Sequence, residues 1–402
     1  MEISFSTELS KDLKSSDLIK SFQKTINDPS VGFFHLPEEE KHVLKSLEIF
    51  KKFKKRKDFI LVGIGGSSLG PKMLVNALGN KEERNFYYLN NIDPDETFEI
   101  LEKLNPENSL FYVVSKSGGT AETLATLTII MNWLNQRRIL SKSFRSHMVF
   151  CTDPQKGELR ALGKKLGIET LEVPQNVGGR FCVLSAVGIL PALFAGIKVI
   201  DLLAGAAQLS NEIESIANTA NFLMDQHGKG NDQTVLMPYS SKLRNFSDWF
   251  VQLWSESLGK EGKGLTPISS YGVTDQHSQM QLFMEGPANK VVIFLEIKNF
   301  SYDFSLLNKE EGHNFKILSS HTLSELMKAE FEGTIKAFKD AKRPFVRITL
   351  DILDEKNLGR LILFFESLTV MMAHLLKINP FNQPGVEAGK INAYQFLESL
   401  KK

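Results

Sequence analysis

The sequence predicts an α/β fold with two units, each a parallel sheet with helices on both faces. In the first half, short apolar runs of β-branched and aromatic residues alternate with helical patterns. Strands are expected at 58–64, 86–91, 110–114, 147–152 and 168–173, and helices near 71–79, 95–104, 120–137 and 156–166. This alternation favours parallel strands, because each return to the same sheet edge needs a crossover helix.

The same pattern restarts in the second half of the chain, which predicts a second α/β unit. Strands are expected at 233–237, 290–297 and 345–350, and helices at 242–256, 275–284, 321–341 and 356–377. A long apolar helical stretch at 183–200 closes the first unit. We therefore expect a helical N-terminal segment, two α/β domains, and a turn with a C-terminal helix, bounded as 1–57, 58–200, 201–378 and 379–402.

Composition and charge exclude several classes of function. The 402 residues carry 48 basic and 47 acidic side chains, a net charge of +1, so there is no electrostatic reason to expect nucleic acid or an anionic membrane as partner. The basic run at 51–57 fits the solvated end of an amphipathic helix. The two cysteines, Cys151 and Cys182, form no pattern typical of zinc or disulfides. No secretory leader or long apolar span is evident, which favours a cytoplasmic protein.

A hydroxyl- and glycine-rich turn, Ser115–Thr123, follows an apolar strand and leads into a helical pattern. Free backbone amides and the dipole at a helix N-terminus favour an anion, phosphate above all. Lys116 adds a positive charge, and Thr120 is a plausible N-cap. Taken alone, the cluster could equally be an ordinary capped helix after a buried strand.

A second turn, Gly63–Pro71, also follows a predicted strand and contains four glycines and two serines. It lacks the Gly-Lys-Ser/Thr ending of a P-loop, and Ser68 stands where a dinucleotide fingerprint needs glycine or alanine. Glycines permit close backbone approach to a ligand. Together the two turns favour a site for a monophosphate or a sugar phosphate.

Four further residues are candidates for chemistry. Arg180 follows a double glycine and precedes an apolar helix, where a permanent cation could stabilise developing negative charge. Glu256 lies four residues after Gln252, so the two share one helix face, and a carboxylate there could act as a base. His277 lies in a polar, hydroxyl-rich cluster at a helix start. Lys390 lies near the N-terminus of the last helix, where the dipole disfavours a cation.

Six segments in this order resemble the glucose-6-phosphate isomerase (phosphoglucose isomerase) family. They are GIGGSSLGP, SKSGGTAETL, VGGRFCVLSAVG, QLWSESLGKEG, DQHSQMQL and QPGVEAGK. The resemblance implies two sugar-isomerase (SIS) domains, each a doubly wound parallel sheet, in a homodimer. It also implies reversible interconversion of glucose 6-phosphate and fructose 6-phosphate without a metal or an organic cofactor.

The resemblance also implies roles for individual residues. Glu256 corresponds to the base that moves a proton between C2 and C1 through a cis-enediol, and Arg180 to the arginine that stabilises the enediolate. His277 and Lys390 correspond to residues that assist ring opening, with the histidine reaching the neighbouring subunit's site. The remaining positions line the sugar (Glu122 and Gln252) or form the substrate and phosphate loops (Gly66, Ser67, Ser115, Lys116, Ser117 and Thr120).

The chain departs from the family pattern at Gly119, where many relatives have threonine, and at Cys182, where serine is usual. Two other functions stay open: an isomerase that also acts on mannose 6-phosphate, and a non-catalytic sugar-phosphate-binding regulator of the same fold. A regulator could lose the base, whereas this chain has all four catalytic candidates. The sequence therefore favours an enzyme.

Overall fold

The computed structural model describes residues 1–8, 15–80, 84–306 and 317–400. The strands are β1 (Glu2–Phe5), β2 (Asp58–Val62), β3 (Asn85–Leu89), β4 (Ser109–Ser115), β5 (Met148–Thr152), β6 (Glu169–Glu172), β7 (Gln233–Pro238), β8 (Thr266–Ser269), β9 (Lys290–Asn299) and β10 (Phe345–Ile352). The helices of the first half are α1 (Ser15–Ile26), α2 (Glu40–Phe53), α3 (Leu69–Leu78), α4 (Pro94–Lys103), α5 (Ala121–Gln136), α6 (Glu158–Leu166), α7 (Ala186–Phe194) and α8 (Val199–Ala206). Those of the second half are α9 (Ile213–Gly228), α10 (Arg244–Leu258), α11 (Met280–Glu285), α12 (Leu323–Asp340), α13 (Glu355–Leu376) and α14 (Glu387–Ser399).

The first sheet is parallel throughout, with the strand order β3-β2-β4-β5-β6. Every residue of β2, β4 and β5 is buried, as expected where helices cover both faces of a sheet. The chain moves outward from β2 to β3 and then returns to β4 on the other side of β2. The crevice at this reversal lies at the carboxyl ends of β2 and β4, where the two glycine- and hydroxyl-rich turns begin.

The second sheet has the order β1-β10-β9-β7-β8, in which β1 is antiparallel and the other strands are parallel. The prediction of a helical segment over 1–57 is wrong at its start, because residues 2–5 form the edge strand β1. Its four residues alternate between exposed and half-buried side chains, a period of two that is too short to stand out in the sequence. The sequence analysis also missed β8, another four-residue edge strand, which contains Pro267.

The apolar stretch predicted as one helix at 183–200 forms two helices, α7 and the start of α8. Gly196 has a φ of +73°, and its position between the helices lets Ile197 donate a backbone hydrogen bond to Ala192. A glycine in this left-handed conformation ends a helix at little steric cost. The chain can therefore turn between two apolar helices that the pattern alone does not separate.

The two units share one apolar core. Buried residues from the facing sides of both sheets, such as Phe59 on β2 and Val291 on β9, belong to a continuous cluster that includes α3, α7, α8, α10 and α13. The outer face of each sheet has a separate, smaller cluster. Helix α13 is long and apolar enough to cross a membrane, but 83% of its most apolar window is buried inside the protein. The shared core fixes α10 of the second unit relative to the loops of the first.

Glycine permits the close approach of α8 and α13. A methyl group on Gly359 would overlap the backbone carbonyl oxygen of Leu202, whereas one on Gly333, at an exposed position of α12, would contact nothing. We expect Gly359→Ala to destabilise the protein by about 1–3 kcal/mol through overpacking. The matched Gly333→Ala should raise stability by about 0.5–1 kcal/mol, because alanine is the better helix former.

Urea unfolding of both variants, at one protein concentration, measures this difference. Equal shifts of the two midpoints would mean that the α8–α13 contact does not require glycine.

Candidate functional site

The turn after β2 lies against the turn that carries Arg180. Gly65 has a φ of +59°. A Cβ on Gly66 would overlap the carbonyl oxygen of Gly179, and one on Gly65 would lie 2.9 Å from Gln252 Nε2. Ser67 is half-buried beside them. Glycine at these positions therefore lets the turn after β2 approach both the arginine turn and helix α10.

The turn after β4 gathers three hydroxyls at the N-terminus of α5. Thr120 Oγ1 lies 2.8 Å from Ser115 Oγ and 3.4 Å from Ser117 Oγ. Thr120 occupies the N-cap position, as predicted, but its hydroxyl does not cap the helix. The first-turn amides of α5 are thus left for another acceptor, which an anion would supply. Glu122 is half-exposed in the same turn of the helix.

Lys116 is directed away from this hydroxyl cluster. Its Nζ donates to the carbonyl oxygens of Gln175 at 3.1 Å and Val177 at 2.7 Å. Burial lowers the pKa of Lys116 from its usual value. The lysine therefore joins the turn after β4 to the chain that leads into Arg180.

The centre of the site is the pair Arg180 and Glu256. Arg180 lies in a 3₁₀ turn, Gly179–Phe181, is 2% exposed, and its Nη1 donates to Glu256 Oε2 at 3.2 Å. Its Nε donates to Ser257 Oγ at 2.7 Å, and Nη1 also donates to Gln383 Oε1 at 2.5 Å. Nη2 donates to the backbone carbonyls of Pro380 and Asn382. All five N–H donors of the guanidinium are therefore used.

Both oxygens of the Glu256 carboxylate have a donor. Arg180 holds Oε2, and Gln252 Nε2 donates to Oε1 at 3.0 Å across one turn of α10. The Glu256 side chain keeps 29% of its surface exposed. Burial lowers the pKa of Arg180, and the Glu256 carboxylate opposes that shift. The result is an oriented, accessible carboxylate beside a buried cation, an arrangement suited to moving a proton and stabilising the anion that forms.

His277 is not near Glu256 within this chain. It is exposed at the end of the 3₁₀ turn Thr274–His277. The backbone N–H of Tyr271 donates a hydrogen bond to Asp275 Oδ2 of this turn at 2.8 Å. The Tyr271 ring lies 4.9 Å from the guanidinium of Arg244, the first residue of α10. Glu256 is twelve residues further along α10, about 18 Å at 1.5 Å per residue. Tyr271 therefore places the chain that leads to His277 beside the start of α10, and no hydrogen bond or ion pair joins His277 to Glu256 among the described residues.

Lys390 also lies away from the pair. It is exposed on α14, and its Nζ contacts Glu387 Oε1 at 2.8 Å. Every residue from Asn382 to Leu400 is exposed. Of the four residues that the sequence analysis selected for catalysis, the fold brings together Arg180 and Glu256 and leaves His277 and Lys390 outside.

Three residues near the pair were not selected from the sequence: Ser257, Lys260 and Gln383. Lys260 Nζ donates to the carbonyl oxygen of Asn379. Together with Glu256 and Gln383 it lines a cavity of about 430 Å³ between the end of α10 and the turn after α13. All three lie within the motifs QLWSESLGKEG and QPGVEAGK, so motif membership was the one signal that could have identified them.

The two departures from the family pattern fit their surroundings. A Cβ on Gly119 would contact nothing, so the position has room for the threonine of many relatives. Cys182 is buried, and its Sγ donates to the Gly179 carbonyl at 2.9 Å, a bond that serine could also make. Burial raises the pKa of the Cys182 thiol. Across the described ranges, no three His, Cys, Asp or Glu side chains form a group that could hold a metal ion.

Comparison with known proteins identifies the same family as the motifs. The chain matches the family model of phosphoglucose isomerase over residues 48–288 and 316–402. Glucose-6-phosphate isomerase of Carboxydothermus hydrogenoformans is 38% identical, with 96% of this chain and 88% of the relative covered. The enzyme of that name from Rubrobacter xylanophilus is 39% identical, with 92% and 89% covered.

Solved structures agree on the fold. A Thermus thermophilus protein described as hypothetical has a TM-score of 0.90 and 34% identity, covering 95% of this chain and 94% of its own. Glucose-6-phosphate isomerase of Chlamydia trachomatis has a TM-score of 0.85 at 23% identity, covering 100% and 89%. Glucosamine-6-phosphate deaminase of Thermotoga maritima, at 0.52 and 15%, covers 92% and 98%. The SIS-type fold class predicted from the sequence is confirmed, and this chain belongs to the phosphoglucose isomerase family.

Proposed function

We propose that this chain is a glucose-6-phosphate isomerase, which interconverts glucose 6-phosphate and fructose 6-phosphate in glycolysis and gluconeogenesis. The observation that carries the proposal is the Glu256 carboxylate, oriented by Gln252 and Arg180 in a chain of this family. The reaction moves one proton between adjacent carbons, so one carboxylate placed over both can serve as base and acid. A positioned general base is worth about 10²–10⁴-fold in rate.

Arg180 stabilises the enediolate in this mechanism. A fixed cation beside a developing oxyanion contributes about 3–4 kcal/mol, on the scale of other oxyanion stabilisers. Because all five donors of Arg180 have partners without substrate, an enediolate oxygen must replace one of them. Gln383 is the candidate to yield, since it is an exposed side chain whereas the other partners are backbone carbonyls, the base itself and buried Ser257.

The phosphate of the substrate binds at the Ser115, Ser117 and Thr120 hydroxyls and the N-terminus of α5, with Gly66 and Ser67 of the neighbouring loop along the sugar and Glu122 at its side. Binding energy gained at this remote group orients the reacting carbons. Lys116, bonded to the arginine turn, acts here by fixing that turn.

Ring opening requires His277, and we propose that it acts in the site of a second subunit. The contact of Tyr271 with Arg244 supports this, since Arg244 begins α10 about 18 Å of helix before Glu256 and Tyr271 leads into the turn that carries His277. The exposed stripe formed by Ile391, Tyr394 and Leu397 on α14 and by Leu400 at its C-terminal cap is apolar surface of the kind that a subunit interface covers. Lys390 precedes this stripe, and we propose that assembly brings it to the substrate. We therefore propose a homodimer with composite sites, and we also propose that the protein is cytoplasmic.

Neither alternative function gains support. Activity on mannose 6-phosphate stays a prediction that an assay must decide. A non-catalytic regulator would not need an oriented carboxylate beside an arginine whose N–H donors are all hydrogen-bonded. The described residues contain both groups.

We predict that Glu256→Gln lowers kcat by about 10³-fold or more while substrate binding persists, because the amide cannot accept the C2 proton. A coupled assay with fructose 6-phosphate and a binding titration measure the two quantities. The control is Glu285→Gln, an exposed carboxylate on α11 bonded to Gln281. If Glu256→Gln keeps more than a tenth of wild-type kcat, Glu256 is not the base.

The double change Ser117→Ala with Thr120→Ala should chiefly weaken binding, because these hydroxyls contact a group that does not react. Each lost neutral hydrogen bond costs about 1 kcal/mol, so KM for fructose 6-phosphate should rise by about fivefold or more. Thr128→Ala, two turns further along α5, removes a hydroxyl bonded to Leu124 O and should leave KM unchanged. Equal KM values in all three proteins would place the phosphate elsewhere.

Mixing Glu256→Gln protein with His277→Ala protein tests the shared site. Each is expected to be inactive alone, but a hybrid dimer contains one site with both residues intact and one site with neither. Under subunit exchange, activity should recover to about a quarter of wild type, since half of the dimers are hybrids at statistical mixing. No recovery despite verified exchange would show that His277 serves its own chain.

A further inference from the structure

The turn that follows α13 is held mainly through its backbone carbonyls. Lys263 Nζ donates to Leu376 O at 3.1 Å, and Lys260 Nζ donates to Asn379 O. Arg180 Nη2 donates to Pro380 O and to Asn382 O. Two lysines from the turn after α10 and the arginine of the Gly179–Phe181 turn thus bind four carbonyl oxygens within residues 376–382.

Apolar packing holds the start of this stretch, where Ile378 is 9% exposed and Pro380 is buried. Phe381 is half-buried and lies 5.9 Å from the Phe181 ring, whereas Asn382 and the residues beyond it are exposed. The position of Gln383, whose Oε1 accepts from Arg180 Nη1, therefore depends on this packing together with the cation–carbonyl bonds.

Lys260 and Lys263 occupy a closed turn at the end of α10. Lys260 N donates to Lys263 O at 3.1 Å, and Lys263 N donates back to Lys260 O at 2.8 Å. Lys260 is four residues after Glu256, so its ammonium starts from the same helix end as the carboxylate. A bond from Lys260 to Asn379 consequently fixes the distance between the base and the turn that carries Gln383.

We propose that Lys260 is a positioning residue, which holds the backbone of the Asn379–Gln383 turn beside Glu256 and Arg180, so that the Gln383 amide stays at the site when the enediolate takes its place on Arg180. The proposal rests on the proposed function and names a residue that acts through Gln383 rather than on the substrate. Lys263, bonded three residues earlier at the end of α13, anchors the helix end and not the Gln383 turn.

The charges that face Lys260 make this contact sensitive to pH. Burial and then the Arg180 guanidinium lower the pKa of Lys260 to about 8, while Glu256 and Glu261 raise it. Lys263 pairs with Glu261 at 3.9 Å. Below pH 8 the charged ammonium makes the stronger hydrogen bond to Asn379, and above it the neutral amine makes a weaker one. The positioning effect is therefore present below the pKa and is lost as pH rises through it.

Kinetics of Lys260→Met, Lys260→Arg and Lys263→Met test the proposal. We expect Lys260→Met to lower kcat/KM by about tenfold at pH 7, as the loss of one charge-assisted hydrogen bond implies. Lys260→Arg should keep kcat/KM within about threefold of the wild-type value. It should also move the alkaline limb of the pH–kcat/KM profile to higher pH, since arginine stays protonated. Lys263→Met should keep the alkaline limb of the wild type.

Hydrogen exchange of the backbone amides of 377–386 gives a second readout that needs no catalysis. At pH 7 and at pH 9, exchange in Lys260→Met should exceed that in Lys260→Arg, and the wild type should resemble the arginine variant at pH 7 and the methionine variant at pH 9. The same exchange data on α13 show whether each variant is folded.

An unchanged pH profile in Lys260→Arg, or equal exchange of 377–386 in both Lys260 variants, would overturn the proposal. An inactive wild type with the expected exchange pattern would instead refute the proposed isomerase function and leave the role of Lys260 in the turn intact.

Discussion

The buried guanidinium of Arg180 is the interaction on which the site depends. A charge that is 2% exposed is costly unless hydrogen bonds and an opposite charge compensate it, and here five bonds and Glu256 do so. Those bonds connect a turn of the first unit, the end of α10 in the second, and the stretch after α13. Removing any of the partners leaves a donor unpaired, so the three segments are fixed in position together.

The two units contribute different parts to the site, although four strands of each sheet follow the same order. In the first unit, the crevice between β2 and β4 carries glycines and hydroxyls that can face an anion. In the second unit, charged side chains bond one another beside the next strand pair, β9 and β10: Arg347 bonds Glu296 on β9 and Glu332 on α12, both at 2.7 Å, and the buried Tyr239 hydroxyl after β7 donates to Gln276. The second unit therefore supplies a helix, α10, rather than a second anion-binding edge.

Close backbone contacts make this division possible. Gly66 lies against Gly179, so the substrate loop and the arginine turn form one surface. The shared core beneath them, from β2 to α13, prevents the units from separating. The Arg180 guanidinium of the first unit and the Glu256 carboxylate of the second can thus stay 3.2 Å apart.

The sequence by itself determined the α/β class, most strands and helices, and the motifs with Arg180, Glu256 and the Ser115–Thr120 cluster, because periodicity and strand-to-helix turns are local properties. It could not identify β1 and β8, whose four residues show no clear period. It also left Ser257, Lys260 and Gln383 unassigned, since they lie up to 203 residues from Arg180 and come near it only in the folded chain. Only the tertiary structure decided that Arg180 joins three segments and that its guanidinium bonds Glu256, because long-range hydrogen bonds and helix docking have no local pattern.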